Sequence, residues 1–212
     1  MDLFVAKMAE FIKVEMHTDA AHDLQHVKRV VLNAKQLCEV ERGNEWVVMP
    51  AVWLHDCVTL PKNHPERAKS SSMAADKALV FLTEIGYPQE HFDHIHHAIV
   101  AHSFSADITP KSLEACIVQD ADRLDAIGAI GIARCLQVGS ALERTLYEVN
   151  DPFALYRDVD DTHFTLDHFF QKLLRLEEML HTDEAKREGR IRTDFMHHYL
   201  RQLGHEIGVR RT

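Results

Sequence analysis

Apolar residues recur at helical spacing along nearly the whole chain. Leu3, Phe4, Met8, Phe11 and Ile12 form one stripe. Leu24, Val27, Val30, Val31, Ala34, Leu37 and Cys38 form a second, with Asp23 placed to cap its start and Gly43 near its end. A third helix is expected from about Val47 to Cys57, with Pro50 accommodated in its first turn, where a missing N–H costs least. A stretch of turn-formers, Thr59 to Ser72, leads to a helix marked by Ala74, Ala75, Ala78, Leu79, Leu82 and Ile85 and ended by Gly86. Pro88 opens the next, which carries Phe92, Ile95, Ala98 and Ile99, and a polar loop runs from Ser103 to Pro110. Leu113 to about Leu142 reads as one long helical segment bent at Gly128 and Gly131. Tyr147 to Thr165 is irregular, and two last helices are expected at roughly Leu166 to Leu180 and Thr182 to Ile207. No segment sustains period-two alternation, and no repeat recurs. The expected fold is an all-α, single-domain bundle over residues 1–212. Its core would lie at about 22–142, with C-terminal helices at about 165–208 packed on it.

Composition narrows the function classes. With 24 Lys plus Arg against 33 Asp plus Glu, the net charge is −9. That balance argues against a nucleic-acid polymer or an anionic membrane as partner, since both need a basic face. It leaves room for a small phosphorylated substrate neutralised by a metal ion or a few basic residues. The N-terminal residues Met1 to Met16 mix charges into their apolar pattern, unlike a signal or transit peptide. The longest apolar run, Trp46 to Leu54, is far short of the roughly 20 residues of a membrane span. A cytoplasmic protein is expected. Cys38, Cys57, Cys116 and Cys135 stand singly among apolar residues and read as reduced, buried thiols. Histidine is the unusual component: there are 16, against 10 Phe and 4 Tyr, which raises the question of a metal site.

The sharpest local feature is His55-Asp56, at the polar end of Val52-Trp53-Leu54. Adjacent helical residues point about 100° apart, so the two share one ion only at a helix end that opens on a cleft. Read alone, the dipeptide fits chance neighbours equally well. Two other segments change that. His26 stands beside the apolar stripe of its helix, one turn from the start. In Val118-Gln119-Asp120-Ala121-Asp122-Arg123-Leu124-Asp125, carboxylates lie next to apolar positions, where charge is costly unless paired or metal-bound. Asp122, flanked by Ala121 and Leu124, is the best inward candidate. Two imidazoles and two carboxylates suit borderline divalent ions and leave positions for water and substrate.

The order His26 … His55-Asp56 … Asp122 resembles the H…HD…D signature of the HD-domain metal-dependent phosphohydrolases. The strings Asp56 to Arg67, Ala98 to Ala106, Val118 to Arg134, and Leu166-Asp167-His168-Phe169 with Lys172-Leu173-Leu174 are similar to the bacterial YedJ-type branch of that superfamily. The likeness covers about Ala21 to Leu174. It implies an all-α HD-type fold, a divalent metal, and hydrolysis of a phosphoester or phosphoanhydride. The substrate class it implies is a nucleotide or similar small metabolite, with pyrophosphate released from nucleoside triphosphates.

Carried over residue by residue, the ligands are His26, His55, Asp56 and Asp122, with Asp56 also orienting or deprotonating water. Asp122 is chosen over Asp120 because the family ligand belongs to an Ala-Asp-x-Leu string. The cofactor expected is one divalent ion (Mn, Ni, Co, Fe, Zn or Mg), Mn being preferred. Asp120 and Asp125 lie behind the ligands or on the surface. Arg123 clamps a phosphate or pairs with Asp120 or Asp125; Lys62 and Arg67 contact phosphate or are solvated loop charges. His102 is either a substrate ligand and proton donor at the cleft or a surface residue. It lies five residues from His97, a divergence of about 140° that makes joint chelation poor. His64 leaves a second metal open. His17, His163, His181, His197, His198 and His205 read as surface residues. A homodimer is compatible with the chain. The competing function is a nucleotide-sensing module that keeps the metal without turnover.

Overall fold

Helix α3 (Glu45–Leu54) is buried at every position from Val47 to Leu54. Full burial of each large side chain contributes roughly 1.5–3 kcal/mol, so this short helix organises its surroundings. The computed structural model describes residues 1–15, 23–60 and 64–209. Among them the remaining α-helices are α1 (Asp2–Glu15), α2 (Leu24–Glu41), α4 (Ser70–Glu84), α5 (Phe92–His102), α6 (Leu113–Asp125), α7 (Gly128–Ala141), α8 (Asp167–Gln171) and α9 (Asp183–Glu206). The β-structure among the described residues is an isolated bridge between Thr145 and Phe164. The expected all-α class holds. No helix among the described residues is long and apolar enough to cross a membrane.

The chain divides into two compact units. One comprises Met1–Asp122 with His181–Ala185, the other Arg123–Leu180 with Lys186–Thr212. In the first, α1, α2 and α5 pack on α3, and α4 packs on α5. Phe11 of α1 stacks on Phe81 of α4 at 4.0 Å between centroids. The second unit is built from α7, α8 and most of α9, where Phe169 stacks on Tyr199 at 6.1 Å. Its irregular excursion is pinned by one carboxylate. Asp167 is fully buried and accepts two bonds from Arg157, at 2.5 and 2.8 Å, and one from the Asp160 amide at 2.7 Å.

Three expected boundaries move. The third helix starts at Glu45, capped by the Asn44 side chain, and ends at Leu54 rather than near Cys57. The segment expected as one helix from Leu113 splits into α6 and α7, because Gly128 adopts a left-handed φ of 73°. A Cβ on Gly131 would lie 2.2 Å from the Ala126 carbonyl oxygen, so its smallness serves that tight connection. The stretch expected as a helix over 166–180 is α8 followed by 3-10 turns at Leu173–Arg175 and Glu177–Met179.

Pro50 lies inside α3 rather than in its first turn, and so leaves the Trp46 carbonyl without its helical donor. The Tyr87 hydroxyl donates to that carbonyl at 2.9 Å. Tyr87 is 2% exposed, and burial pushes its phenol upward, which keeps the donor proton in place. Tyr87→Phe should therefore cost about 0.5–1.5 kcal/mol in urea unfolding, the net worth of an ordinary intramolecular hydrogen bond. In a Pro50→Ala background, which restores the N–H, the same change should cost clearly less. Equal costs in both backgrounds would refute the compensation.

Candidate metal centre

Each candidate ligand is delivered by the end of a helix or by its first turn. Asp23 caps α2, its Oδ1 accepting from the His26 amide at 2.7 Å, so the residue that starts the helix also fixes the His26 backbone. His55 is the C-cap of α3, and Asp56 is the first residue beyond it. The early stop of α3 is what lets both side chains reach one place. Asp122 sits in the last turn of α6, and His102 is the last residue of α5.

The last carbonyls of a helix lack intrahelical donors. His55 uses this: its Nδ1 lies 2.8 Å from the Val52 carbonyl. His102 repeats it with Nδ1 2.5 Å from the Ile99 carbonyl. A carbonyl only accepts, so each ring carries its proton on Nδ1 and, when neutral, presents a lone pair at Nε2. His55 Nε2 is buried and has no hydrogen-bond partner. A buried, unpartnered imidazole nitrogen whose tautomer is fixed by a backbone carbonyl is what a metal ligand requires.

These nitrogens converge on carboxylate oxygens. Asp56 Oδ2 is 3.4 Å from His55 Nε2 and 3.7 Å from His26 Nε2, and Asp56 Oδ1 is 3.7 Å from His102 Nε2. Asp122 Oδ1 is 3.4 Å from His26 Nε2. The ligand atoms of His26, His55 and Asp56 all lie within 4.8 Å of one another. The His55 ring stands edge-on between its neighbours, at 5.6 Å from His26 and 4.8 Å from His102. The donor set and its spacing fit a divalent ion. Burial opposes ionisation of Asp56, but the adjacent imidazoles of His55 and His102 outweigh it and hold the carboxyl well below its ordinary range. Burial is likewise outweighed at Asp122, lowered chiefly by His26. Burial alone would lower His102, yet its bond to Asp56 and the charges of Asp56 and Asp122 raise it.

Buried amides hold the helices in register. Asn33 Nδ2, two turns along α2 from His26, donates to the Ala121 carbonyl of α6 at 3.1 Å. Asp120 is fully buried and points away from the imidazoles: it accepts from the His181 amide at 3.0 Å and from the Thr182 amide and hydroxyl at 2.8 and 2.9 Å. Reading Asp120 as lying behind the ligands or at the surface resolves to the buried side. Asp125 is buried too, with Arg134 at 2.8 Å. Arg123 donates to the Met179 carbonyl. Arg67 donates to the Leu60 carbonyl at 2.7 Å and so ties its own loop. Lys62 lies outside the described residues. Among the described residues His64 is not part of the three-ligand group; its Nδ1 accepts from the Glu66 amide at 3.1 Å. His97 accepts from the Lys111 amide at 2.9 Å and is likewise apart from the group.

Two residues that sequence reasoning passed over belong to this region. Gln119 is 3% exposed and bonded at both ends of its carboxamide, and His181 is at the surface, as expected, with its ring on Gln119. A polar residue one turn before Asp122 on the same helix was the available signal. Cys38 and Cys57 are buried donors to the Gly43 and Ala74 carbonyls, and burial pushes their thiols up to about 11 and about 12, which keeps them unreactive.

Comparison with known proteins places this geometry. The HD domain family matches residues 23–127. The uncharacterized protein YpgQ of Bacillus subtilis is 35% identical over 192 residues, covering 89% of this chain and 85% of that one. The crystal structure of Bacillus subtilis YpgQ in complex with ADP aligns with a TM-score of 0.73 at 32% identity, covering 95% of this chain and 94% of the other. That of an HD-superfamily hydrolase from Bacillus thuringiensis aligns with a TM-score of 0.75 at 33% identity, covering 97% of each. The helix-end histidines and their carboxylates fall within the matched residues, and the chain belongs to the HD-domain family as a metal-dependent phosphohydrolase.

Proposed function

We propose that the chain hydrolyses a phosphoanhydride or phosphoester of a nucleotide, with a single divalent ion held by His26, His55, Asp56 and Asp122. The observation that carries the reading is the buried, unpartnered Nε2 of His55, aimed among carboxylates by the Val52 carbonyl. Two nitrogens and two oxygens favour a borderline ion, Mn being our choice among Mn, Ni, Co, Fe, Zn and Mg. The ADP complex of YpgQ supports a nucleotide as the ligand class. The resemblance to pyrophosphohydrolases supports cleavage that releases pyrophosphate from nucleoside triphosphates.

A bound divalent ion supplies Lewis acidity toward a phosphoryl oxygen and makes water easier to deprotonate. The rest falls to the side chains. Asp56 orients the attacking water and takes its proton as the new P–O bond forms. His102, held toward its protonated form by Asp56, gives a proton to the leaving oxygen as the old P–O bond breaks. Lys62, Arg67 and Arg123 offset charge on the phosphate oxygens. A guanidinium has five N–H donors, so the Leu60 carbonyl occupies only part of the Arg67 fork.

Two experiments test this. The first separates the neighbouring aspartates, whose side chains point about 200° apart on an ideal helix. Asp122→Asn should abolish turnover and weaken metal binding by calorimetry. Asp120→Asn should keep the metal, losing activity by at most roughly 10- to 100-fold. Loss of the metal in Asp120→Asn, and not in Asp122→Asn, would refute the ligand set. The second experiment incubates the Mn-loaded protein with a nucleotide panel and follows phosphorus NMR. Nucleoside triphosphates should yield monophosphate and pyrophosphate together. Stepwise release of single phosphates would overturn the bond assignment, and nucleotide binding without product would make the chain a binding module instead.

A further inference from the structure

We infer that Gln119 is a positioning residue for His102, acting through the last peptide of α5 and braced from behind by His181. The inference rests on the proposed role of His102 in the reaction, but its geometry stands by itself. Gln119 Nε2 donates to the Ala101 carbonyl at 2.6 Å, and Gln119 Oε1 accepts from His181 Nε2 at 2.6 Å. The orientation of the carboxamide follows from chemistry. Only its NH2 can face a carbonyl, so only its oxygen can face the imidazole. The His181 backbone is anchored in turn, since its amide donates to both oxygens of the buried Asp120 at 3.0 and 3.1 Å.

The place where Gln119 acts matters more than the number of its bonds. Helix α5 ends at His102, so the carbonyls of its last turn have no helical donors and that turn is free to fray. Two of those carbonyls are satisfied: Ile99 by the ring of His102, and Ala101 by Gln119. The Ala101 carbonyl belongs to the peptide unit that joins Ala101 to His102. Pinning it fixes the plane from which the His102 side chain hangs, and so the 3.7 Å approach of His102 Nε2 to Asp56 Oδ1. Catalytic groups need placement within about 0.5 Å, and a fraying helix end does not provide that. Gln119 and Asp122 lie three apart on α6, on one side of that helix. One helix thus presents Asp122 to the centre and braces His102.

Gln119→Met keeps length and bulk without the hydrogen bonds. In the Mn-loaded protein it should lower kcat by roughly 10- to 100-fold, with KM and Mn affinity within about 3-fold of wild type, as for loss of an orienting partner. Gln119→Glu keeps the acceptor for His181 but loses the donor to Ala101, and should show the same loss. His181→Leu leaves the Ala101 bond in place and should lose less. A readout independent of turnover is the His102 Nδ1–H in 15N-histidine NMR. It should be protected from exchange in the wild type and exchange-broadened in Gln119→Met. Wild-type kcat and a protected His102 N–H in Gln119→Met would overturn the inference. So would Mn affinity and melting temperature falling in step with activity, the mark of a general structural loss. A wild type that turns over no substrate would count against the proposed function alone, and the His102 resonance would still decide this inference.

Discussion

The hydrogen bond from His55 Nδ1 to the Val52 carbonyl is the constraint on which the centre depends. It exists because α3 stops at Leu54, so that a carbonyl with no helical donor and an imidazole with a spare N–H meet at the helix end. The bond removes one rotational freedom from the ring and places the lone pair on Nε2, inside the protein and next to Asp56. His102 solves the same problem in the same way at the end of α5. Two helix termini, each with its own backbone acceptor, therefore aim two imidazoles without a dedicated carboxylate behind either. Such second partners orient metal-ligating histidines widely, and here the backbone supplies them.

The electrostatics follow from burial. The Asp56 side chain keeps 12% of its exposure and His55 keeps 1%, so little water remains to solvate either. A buried carboxylate is expensive without positive charge or hydrogen bonds. Among the described residues, Asp56 and Asp122 are paired with imidazoles, which makes the cluster a sink for a cation or for protons. The cost is borne by an apolar scaffold: α3, buried from Val47 to Leu54, packs on α1, α2 and α5, and Tyr87 repairs the one hydrogen-bond gap that Pro50 opens. Asn33 and Asp120 then hold α2 and the His181–Thr182 segment against α6.

Much of this was legible in the sequence. Helical spacing located α1, α2, α4 and α5, and Asp23 marked the start of α2, because capping and amphipathicity are local. The failures were non-local. Pro50 looked like a first-turn residue because nothing nearby in sequence announces that Tyr87 will satisfy the Trp46 carbonyl. The split between α6 and α7 rests on a left-handed Gly128, and the 3-10 turns after α8 replaced a helix that its apolar pattern suggested. The spacing of His26, His55-Asp56 and Asp122 points to the metal centre, whereas the sequence alone leaves His102 between cleft and surface, and its ring lies against Asp56. Gln119 and His181 were invisible as a pair: 62 residues separate them, and neither carries a motif.

The central claim is that helix-end imidazoles and paired carboxylates form one site for one ion. X-ray absorption at the metal edge of chelator-stripped protein reloaded with Mn tests it most directly, with stoichiometry measured on the same sample. A single equivalent per chain is expected, with imidazole nitrogens and carboxylate oxygens in the coordination sphere, and the loss of an imidazole contribution in His55→Ala. Substoichiometric loading, or a coordination sphere without imidazole that His55→Ala leaves unchanged, would contradict it.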